Sequence, residues 1–486
     1  MPDTVTPATL QQGMIFSELE EVVGVGRIST QDTDRLVYST DWSWMSQMWL
    51  DRGLRPAAAD FIVHPGSAQE ISSILKIANS YGIPVVPWGG GSGTQGGAIP
   101  TYGGILLDLK RLDRLLEINE KSLYVTAQAG INGTQLEWAL NEKGLTLPHY
   151  PASANCATLG GYLAPRGSGT ISTKYGKAED RVMRMEIVLP NGSIIRTPGV
   201  PNHASGPDFM RLFLGSEGVF GVITEATMQI ERLPEVRLFR AMLFKDIATG
   251  LEAGRRMMLE RLNPLVIRMY DPSSTGSLVK EVLGYELEGA YMIIGFDGWA
   301  EIAAAQEKRA LAICKELGAR DLERDPGERW WNHRYDFYYP PLGLGLPSMY
   351  GTVETISTFD NIERIYYAKK KAIEEFSSDL DIRYIGHFSH WFPWGASLYD
   401  RFILKTPPEE AEEALKLHNR IWATAVKASL DNGGMINEHH GVGLKLGRFM
   451  RAQYGASWEL LETIKNAIDP NGIMNPGKVG FGVKQR

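Results

Sequence analysis

The stretch Gly89-Gly90-Gly91-Ser92-Gly93 follows directly on a short apolar run of the chain. Because glycine has no side chain, such a turn exposes a row of backbone N–H donors that can hold a phosphate. The loop lacks the Gly-Lys-Ser/Thr ending of a triphosphate-binding loop, and it does not open a helix with the GxGxxG pattern of a dinucleotide-binding turn. Taken alone, it indicates either an anion-binding loop or only a tight turn.

Two further loops rich in small residues occur at residues 151–169 and 215–224. Apolar patterns at residues 123–129 and 182–189 predict strands between the loops, and Asn191-Gly192 predicts a turn after the second strand. Because the loops expose backbone in several places, we expect them to share one extended ligand.

In this order the loops resemble the FAD-binding domain of flavoproteins of the vanillyl-alcohol oxidase and p-cresol methylhydroxylase type. Within that superfamily the chain most resembles alkyldihydroxyacetonephosphate synthase, followed by the glycolate and D-lactate dehydrogenase branch. The resemblance extends from about Asp60 to the closing motif at residues 468–478. It implies an α+β fold, with a two-subdomain FAD-binding domain of the p-cresol methylhydroxylase (PCMH) type and an α+β substrate (cap) domain that contains an antiparallel sheet.

The chain is expected to divide into four segments. They are an N-terminal segment (1–59), the FAD-binding domain (60–235), the substrate domain (236–430) and a C-terminal segment that returns to the FAD domain (431–486). Within them, the capping box Ser67-x-x-Glu70 and the stop signal Gly82 delimit a predicted helix, and a second helix is predicted to begin at residues 406–409. The tryptophan-rich stretch at residues 41–49 is either an aromatic staple on a domain or a wall of the substrate site.

The resemblance implies a bound FAD, and it assigns the cofactor site residue by residue. The glycine loop contains Trp88 and Ser92 but no histidine, so we expect the FAD to be non-covalent, with His439 or His440 as the alternative point of attachment. The cofactor-binding residues expected from the resemblance are Pro87, Trp88, Gly89, Gly90, Gly91, Ser92, Gly93, Pro151, Ala152, Ser153, Thr158, Gly160, Gly161, Pro165, Arg166, Gly167, Ser168, Glu217, Gly218, Val222 and Ile223.

His439 and His440 follow Glu438 in a turn that ends Gly-Val-Gly. Two imidazoles beside a carboxylate can transfer protons near neutral pH, and the alternative interpretation is a surface turn. The synthase has three histidines before the same Gly-Val-Gly, whereas the hydroxy-acid dehydrogenases have Glu-His-Gly. Glu438 stands where the synthase has its first histidine, which weakens the implication of a redox-neutral exchange reaction.

Two more catalytic candidates come from the resemblance. Tyr399 matches the synthase's catalytic tyrosine, which accepts and donates a proton, and we expect neighbouring imidazoles and an electron-poor flavin ring to lower the pKa of this phenol. Arg334 falls where the synthase has its substrate arginine, and its guanidinium can clamp a carboxylate or phosphate. The alternatives are a strand aromatic for Tyr399 and a surface salt bridge for Arg334.

A metal site is not expected. His387 and His390 resemble only the beginning of the dehydrogenases' metal-binding motif, and the acidic and second histidine positions of that motif are missing. A divalent site through His387 and His439 would be incomplete.

Composition limits the classes of function. With a net charge of −7 and no basic stripe, nucleic acid is not an expected partner. No apolar run of about 20 residues is present, so we expect no membrane span and a cytoplasmic location. Two cysteines cannot hold an iron–sulfur cluster by themselves, so electrons would leave through oxygen, a quinone, a cytochrome or an electron-transfer protein. A homodimer is the family's common state.

Three functional hypotheses follow. The first is an FAD-dependent oxidoreductase that transfers a hydride from an alcohol or 2-hydroxy acid carbon to flavin N5, with Tyr399, His439 or His440 as base. The second is a transferase like alkyldihydroxyacetonephosphate synthase, which exchanges an acyl for an alkyl group through a flavin adduct. The third is a flavin-binding protein without catalysis. The first is favoured because most chains with this FAD architecture oxidise a small-molecule substrate.

Overall fold

The computed structural model describes residues 7–55, 57–338 and 345–483. A small sheet and its helices come first in the chain, and the strand order in this sheet is β1-β2-β4-β3, with β2, β4 and β3 parallel. The elements are α1 (Pro7–Val23), β1 (Ile28–Ser29), α2 (Asp32–Val37), α3 (Trp44–Asp51), β2 (Phe61–Val63), α4 (Ala68–Tyr81), β3 (Val85–Trp88) and β4 (Ile105–Asp108).

Helix α4 confirms the prediction made from its caps. The Ser67 hydroxyl accepts a hydrogen bond from the backbone N–H of Glu70 at 3.1 Å, and Gly82 ends the helix in the left-handed conformation. Its buried face consists of the apolar residues that recur at helical spacing. The helix delivers the chain into β3, and the glycine loop leaves the carboxyl end of that strand.

A second, antiparallel sheet has the order β5-β6-β10-β8-β9. The loop at residues 151–169 precedes β8, and the loop that begins at residue 215 leads into β10. Both loops pack against the segment of the glycine loop, through Cys156 at Gly90 and through Gly218 at Pro87. The elements here are β5 (Leu115–Asn119), β6 (Tyr124–Gln128), α5 (Gly133–Asn141), β7 (Leu145–Thr146), α6 (Leu159–Leu163), α7 (Ser172–Tyr175), α8 (Ala178–Arg181), β8 (Val182–Val188), β9 (Ile194–Arg196), α9 (Met210–Phe213) and β10 (Val222–Gln229).

The largest sheet has the order β15-β12-β14-β13-β18-β19-β16, and β17 also pairs with β19. All of its pairings are antiparallel, as expected for the substrate domain. A short strand, β11 (Glu231–Arg232), precedes this sheet and pairs with β7 instead. The elements that follow are β12 (Val236–Phe244), α10 (Ile247–Leu259), β13 (Val266–Tyr270), α11 (Pro272–Ser274), α12 (Lys280–Leu283), β14 (Ala290–Gly298), α13 (Ala300–Glu316), β15 (Arg320–Asp321), α14 (Arg324–His333), β16 (Met349–Thr352), β17 (Thr355–Thr358), α15 (Phe359–Glu374), β18 (Ile382–Phe392) and β19 (Gly395–Leu404).

The last part of the chain returns to the first sheet through a parallel bridge between Val85 and Met474. Its helices are α16 (Ala411–Asp431), α17 (Met450–Tyr454) and α18 (Ser457–Ile468). The prediction that α16 begins at residues 406–409 is wrong. The helix begins at Ala411, because Glu410 keeps an extended backbone conformation and serves as the N-cap. Across the described ranges, no helix combines the length and the apolar character needed to cross a bilayer.

Candidate active site

Two adjoining cavities lie where the three sheets meet. The first, of about 150 Å³, is lined by the glycine loop and is called the loop cavity below. The second, of about 250 Å³, contains several arginine, lysine and histidine side chains and is called the cation cavity. Both cavities are lined by Ser92, Gly93, Ala157, Gly161, Pro165 and His440. One extended ligand can therefore pass from one into the other.

The glycine loop presents backbone donors to the loop cavity. Within the described ranges, the N–H groups of residues 89–93 donate no hydrogen bond. A Cβ on Gly90 would overlap the carbonyl oxygen of Cys156, so the loop packs main chain against main chain, and Gly91 has a φ of +65°. Because such unengaged donors favour an anion, the cavity fits the diphosphate of a dinucleotide.

Most of the predicted cofactor residues line one of the two cavities. Arg166 and Val222 do not: Arg166 is ion-paired with Glu179, and Val222 is buried in β10 opposite Val188. The loop cavity is lined by Pro87, Trp88, Gly89, Gly90, Gly91, Ser92, Gly93, Thr158, Gly160, Gly161, Pro165, Glu217, Gly218 and Ile223. The cation cavity adds Pro151, Ala152, Ser153, Gly167 and Ser168.

Glu217 connects the loop cavity to the segment that carries the paired histidines. Its carboxylate accepts the backbone N–H groups of Val442 at 2.5 Å and Gly443 at 3.0 Å. Burial raises the pKa of Glu217 to about 7, against the opposing effect of these hydrogen bonds. The contact fixes His440 at the junction of the two cavities.

Strand pairing assembles one wall of the cation cavity. In the antiparallel register of β18 and β19, His387 lies directly opposite Tyr399, and the ring centroids are 4.7 Å apart at an angle of 15°. Arg401 follows Tyr399 by two positions, so it projects from the same face of β19. Its guanidinium donates a hydrogen bond to the Tyr399 hydroxyl at 3.0 Å.

Arg268 reaches the same wall from β13. Its Nη2 lies 2.6 Å from His387 Nε2, and it also donates to the hydroxyl of Tyr338. Burial and the nearby arginines lower the pKa of His387 well below its usual range, so this imidazole is neutral. Arg268 and Arg401 are both buried, their Nε atoms lack partners, and neither forms an ion pair with a carboxylate of the described ranges. Buried charges without a counter-ion are costly, so this wall is suited to an anionic ligand.

Arg334 also lines the cation cavity. Its guanidinium stacks on the rings of Trp331 and Tyr335, with Cζ 4.0 and 4.4 Å from their centroids, and its Nη1 donates to the Trp331 carbonyl at 2.5 Å. Its Nε has no partner among the described residues. The surface salt bridge considered as an alternative is not formed within that part of the chain.

The paired histidines differ in protonation. His439 Nδ1 lies 2.8 Å from a Glu354 oxygen and 2.6 Å from a Glu438 oxygen. Although burial opposes its charge, the two carboxylates raise the pKa of His439 to about 10. Burial lowers the pKa of His440, which is therefore neutral at pH 7. The site thus holds a cationic and a neutral imidazole side by side, with ring centroids 4.0 Å apart.

The pKa of Tyr399 differs from the prediction. Burial raises it, although Arg401 acts in the opposite direction, so the phenol is neutral rather than acidified. The prediction counted the favourable charges nearby and omitted the cost of placing a phenolate in a buried site. Tyr399 can therefore donate a hydrogen bond from its hydroxyl while it accepts one from Arg401.

Glu438 is the centre of a second polar cluster. A bulge in β18 between Phe388 and Trp391 inserts one residue, so that His387 and His390 both line the cavity. His390 Nδ1 lies 2.7 Å from Glu438, and Lys177 Nζ lies 3.0 Å from its other oxygen. Burial and the positive neighbours act in opposite directions, and the neighbours hold the pKa of Glu438 well below its usual range.

Two groups in the described residues have the ligand types of a metal site. They are Glu354 with His439 and His440, and His390 with Glu438 and His439, with ligand atoms within 4.8 Å of one another. In both groups the carboxylates are engaged by His439, and in the second also by Lys177. These charges compete with a cation, and the absence of a metal remains a prediction.

The sequence interpretation missed Arg268, Arg401, Tyr338 and Glu354. For Arg268, an available signal was a single arginine within the otherwise apolar strand 266–270. For Arg401, the signal was its two-residue spacing from Tyr399. No local pattern marks Tyr338 or Glu354, because their partners come from distant segments.

The FAD binding domain family matches residues 59–198, and the C-terminal domain family of FAD linked oxidases matches residues 233–479. The uncharacterized FAD-linked oxidoreductase YgcU of Escherichia coli K12 is 31% identical over 493 residues, which cover 97% of this chain and 99% of the relative. The alkyldihydroxyacetonephosphate synthase of Trypanosoma brucei brucei is 27% identical over 504 residues, which cover 97% and 81%.

The solved structure of p-cresol methylhydroxylase with substrate bound superimposes with a TM-score of 0.81 at 17% identity and covers 99% of both chains. At this identity the likeness concerns the fold. It agrees with the expected architecture of a PCMH-type FAD-binding domain followed by a substrate domain with an antiparallel sheet. The chain therefore belongs to the FAD linked oxidases and binds FAD.

Proposed function

We propose that the protein is an FAD-dependent oxidoreductase that oxidises the hydroxyl-bearing carbon of a small anionic substrate, such as a 2-hydroxy acid. The observation that carries the proposal is the pair of buried guanidinium groups, Arg268 and Arg401, which lack carboxylate partners among the described residues. They share the cation cavity with the neutral imidazole of His440.

The loop cavity is the place for the FAD diphosphate, which the backbone N–H groups of residues 89–93 would hold. His440 and the shared lining residues lie toward the cation cavity, so they would contact the isoalloxazine end. When bound, FAD supplies a two-electron acceptor beside the substrate.

Arg268 and Arg401 would bind the anionic group of the substrate. Guanidinium groups suit this task because they offer parallel N–H donors in a fixed plane and stay charged at all physiological pH values. Tyr338 and Tyr399 hold the two guanidinium groups, which limits the conformational freedom lost on binding. Arg334 lines the same cavity and would contact a second part of the substrate.

His440 would accept the proton of the substrate hydroxyl as the carbon is oxidised to a carbonyl. Its lowered pKa keeps the ring in the neutral form that a general base requires. His439 stays protonated between its carboxylates and would stabilise negative charge that develops on the oxygen. The hydroxyl of Tyr399 would orient the substrate oxygen between the two imidazoles.

Dye reduction by the purified flavoprotein tests this function. The panel consists of D-2-hydroxy acids, uncharged aromatic alcohols and an acyl-dihydroxyacetonephosphate. We expect sustained turnover with at least one hydroxy acid and much slower turnover with the uncharged alcohols. Turnover of uncharged alcohols alone would contradict the proposed role of Arg268 and Arg401.

A second candidate is a transferase like alkyldihydroxyacetonephosphate synthase. It is favoured by the placement of Tyr399 within 5.8 Å of His439 and 5.3 Å of His440, measured between ring centroids. This candidate predicts no sustained dye reduction with any alcohol. It also predicts release of a fatty acid when the acyl-phosphate compound and a long-chain alcohol are supplied together.

Three further expectations from the sequence are kept as proposals. They are an external electron acceptor, a homodimeric state and a cytoplasmic location.

A further inference from the structure

A second group of donors lies on the wall of the cation cavity formed by the tryptophan-rich stretch, helix α16 and the segment that follows His440. Trp42, Trp44, Trp422 and Lys445 all line the cavity there. This group, which we call the lysine pole, is separate from the wall of β13, β18 and β19 that carries Arg268 and Arg401. The mechanism proposed above makes no use of it.

Lys445 is buried in an aromatic setting. Its Nζ lies 3.8 Å from the centroid of the Trp422 ring, and it lies 2.9 Å from Nδ1 and 3.0 Å from Nε2 of His418. Nε2 also lies 3.1 Å from the carbonyl oxygen of Tyr350, which can only accept, so Nε2 carries the proton and Nδ1 is the ring nitrogen that can accept from the amine. This imidazole also stacks on Trp44, with ring centroids 4.6 Å apart at an angle of 15°.

Among the described residues, the amine of Lys445 forms no ion pair with a carboxylate. Burial lowers the pKa of this lysine well below its usual range, although the charge of the Asp41 carboxylate acts in the opposite direction. A buried lysine without an acidic partner is expensive to keep charged, and a ligand carboxylate would supply the missing charge.

Two other donors in the lining of the cation cavity are also unengaged among the described residues. The indole Nε1–H of Trp422 is buried and has no hydrogen-bond partner in the described part of the molecule, and the same holds for the hydroxyl of Thr94, which lines the cavity nearby. Buried indole N–H groups usually find a partner. Each of these three groups is a donor of the kind that carboxylate oxygens accept.

We infer that the substrate carries a second carboxylate, which binds at Lys445 and Trp422 while the first binds at Arg268 and Arg401. The inference rests on the proposed function, because it names the substrate class as a hydroxy dicarboxylate. The aromatic side chains that line the cation cavity would contact the carbon chain of the substrate.

The test compares carboxylic acids of equal length as ligands of the holoenzyme. Succinate, glutarate and adipate are paired with butyrate, pentanoate and hexanoate, and binding is followed by the change in flavin absorbance. We expect at least one diacid to bind about tenfold or more tightly than its matched monoacid, which corresponds to one additional charged contact. In Lys445→Met, which keeps the stem of the side chain, this advantage disappears and monoacid binding is unchanged.

The outcomes separate the inference from the proposed function. Equal binding of diacids and monoacids, or a diacid preference that persists in Lys445→Met, would overturn the inference alone. Failure of all six acids to bind would contradict the proposed function and the inference together. Flavin content and thermal melting show whether the variant is folded, and Lys445→Arg, which restores a cation, should recover part of the diacid preference.

Discussion

The loop cavity and the cation cavity recognise ligands by different means. The loop cavity offers backbone N–H groups of one continuous segment, residues 89–93, and its shape depends on glycines. The cation cavity offers side chains that strand pairing brings together from β13, β18 and β19, together with the segment that carries His439 and His440. We therefore propose that the loop cavity binds the constant part of the cofactor and that the cation cavity determines which substrate reacts.

The largest expected effect comes from breaking the loop cavity. Gly90→Ala places a Cβ against the main chain at Cys156, so the two loops must separate. We expect the flavin content of the purified protein to fall below about one tenth of the wild-type value, because overpacking of a few kcal/mol reduces affinity by more than tenfold. The matched control is Gly199→Ala, where a Cβ meets no atom within 4 Å. Full flavin content in Gly90→Ala would show that close packing of the loops is not required.

Removing the proposed base should spare the loop cavity and stop the chemistry. His440→Gln is expected to lower kcat by about 100- to 10,000-fold, the usual contribution of a general base, while FAD stays bound. Rapid-mixing measurements of flavin reduction provide the rate. The control is His333→Gln, which changes an exposed histidine of α14. If His440→Gln kept its rate, the proton would have to go to another group.

A smaller loss is expected from removing one arginine of the cation cavity. Arg268→Met should lower kcat/KM for a hydroxy acid by about 100-fold, chiefly through KM, because the anionic group loses a charged partner. Arg256→Met in α10, which breaks an ion pair with Glu316 away from the cavity, should have no such effect. A fall in kcat with KM unchanged would argue against a role in substrate binding.

Tyr399→Phe removes one hydroxyl without changing the ring that stacks on His387. We expect turnover to fall about tenfold, because the loss of one hydrogen bond to a charged partner costs about that factor. The flavin should be retained. Steady-state kinetics alongside Tyr367→Phe, an exposed control, measure the effect. Unchanged turnover in Tyr399→Phe would contradict the role that the resemblance to the synthase implies.

The smallest effect concerns pH. Activity should rise as His440 loses its proton, below the ordinary histidine pKa, and should fall as His439 loses its proton near pH 10. Glu354→Gln removes one of the carboxylates that raise the pKa of His439, so the alkaline limb of the profile should move to lower pH. Glu307→Gln, which affects a carboxylate paired with Arg324, should leave the profile unchanged. A fixed alkaline limb in Glu354→Gln would mean that another group controls it.

The difference between the two cavities also bears on what the sequence could predict. The capped helix α4 and the glycine loop follow from residues close together in the chain, so local rules were enough. The other residues of the loop-cavity lining come from separate segments, and they were expected only from the resemblance to the flavoprotein family. The arginine pair required knowledge that β13 and β19 both flank β18, which no local pattern supplies. The Tyr399 pKa was predicted in the wrong direction because burial, unlike the nearby charges, cannot be read from the motif.

The central claim is that the cation cavity selects substrates by their negative charge. The most direct test compares kcat/KM for a 2-hydroxy acid that the enzyme turns over with kcat/KM for its uncharged methyl ester. We predict that the acid is favoured by about 100-fold in the wild type and that Arg268→Met removes most of this preference. An ester that reacts as well as the acid would contradict the account.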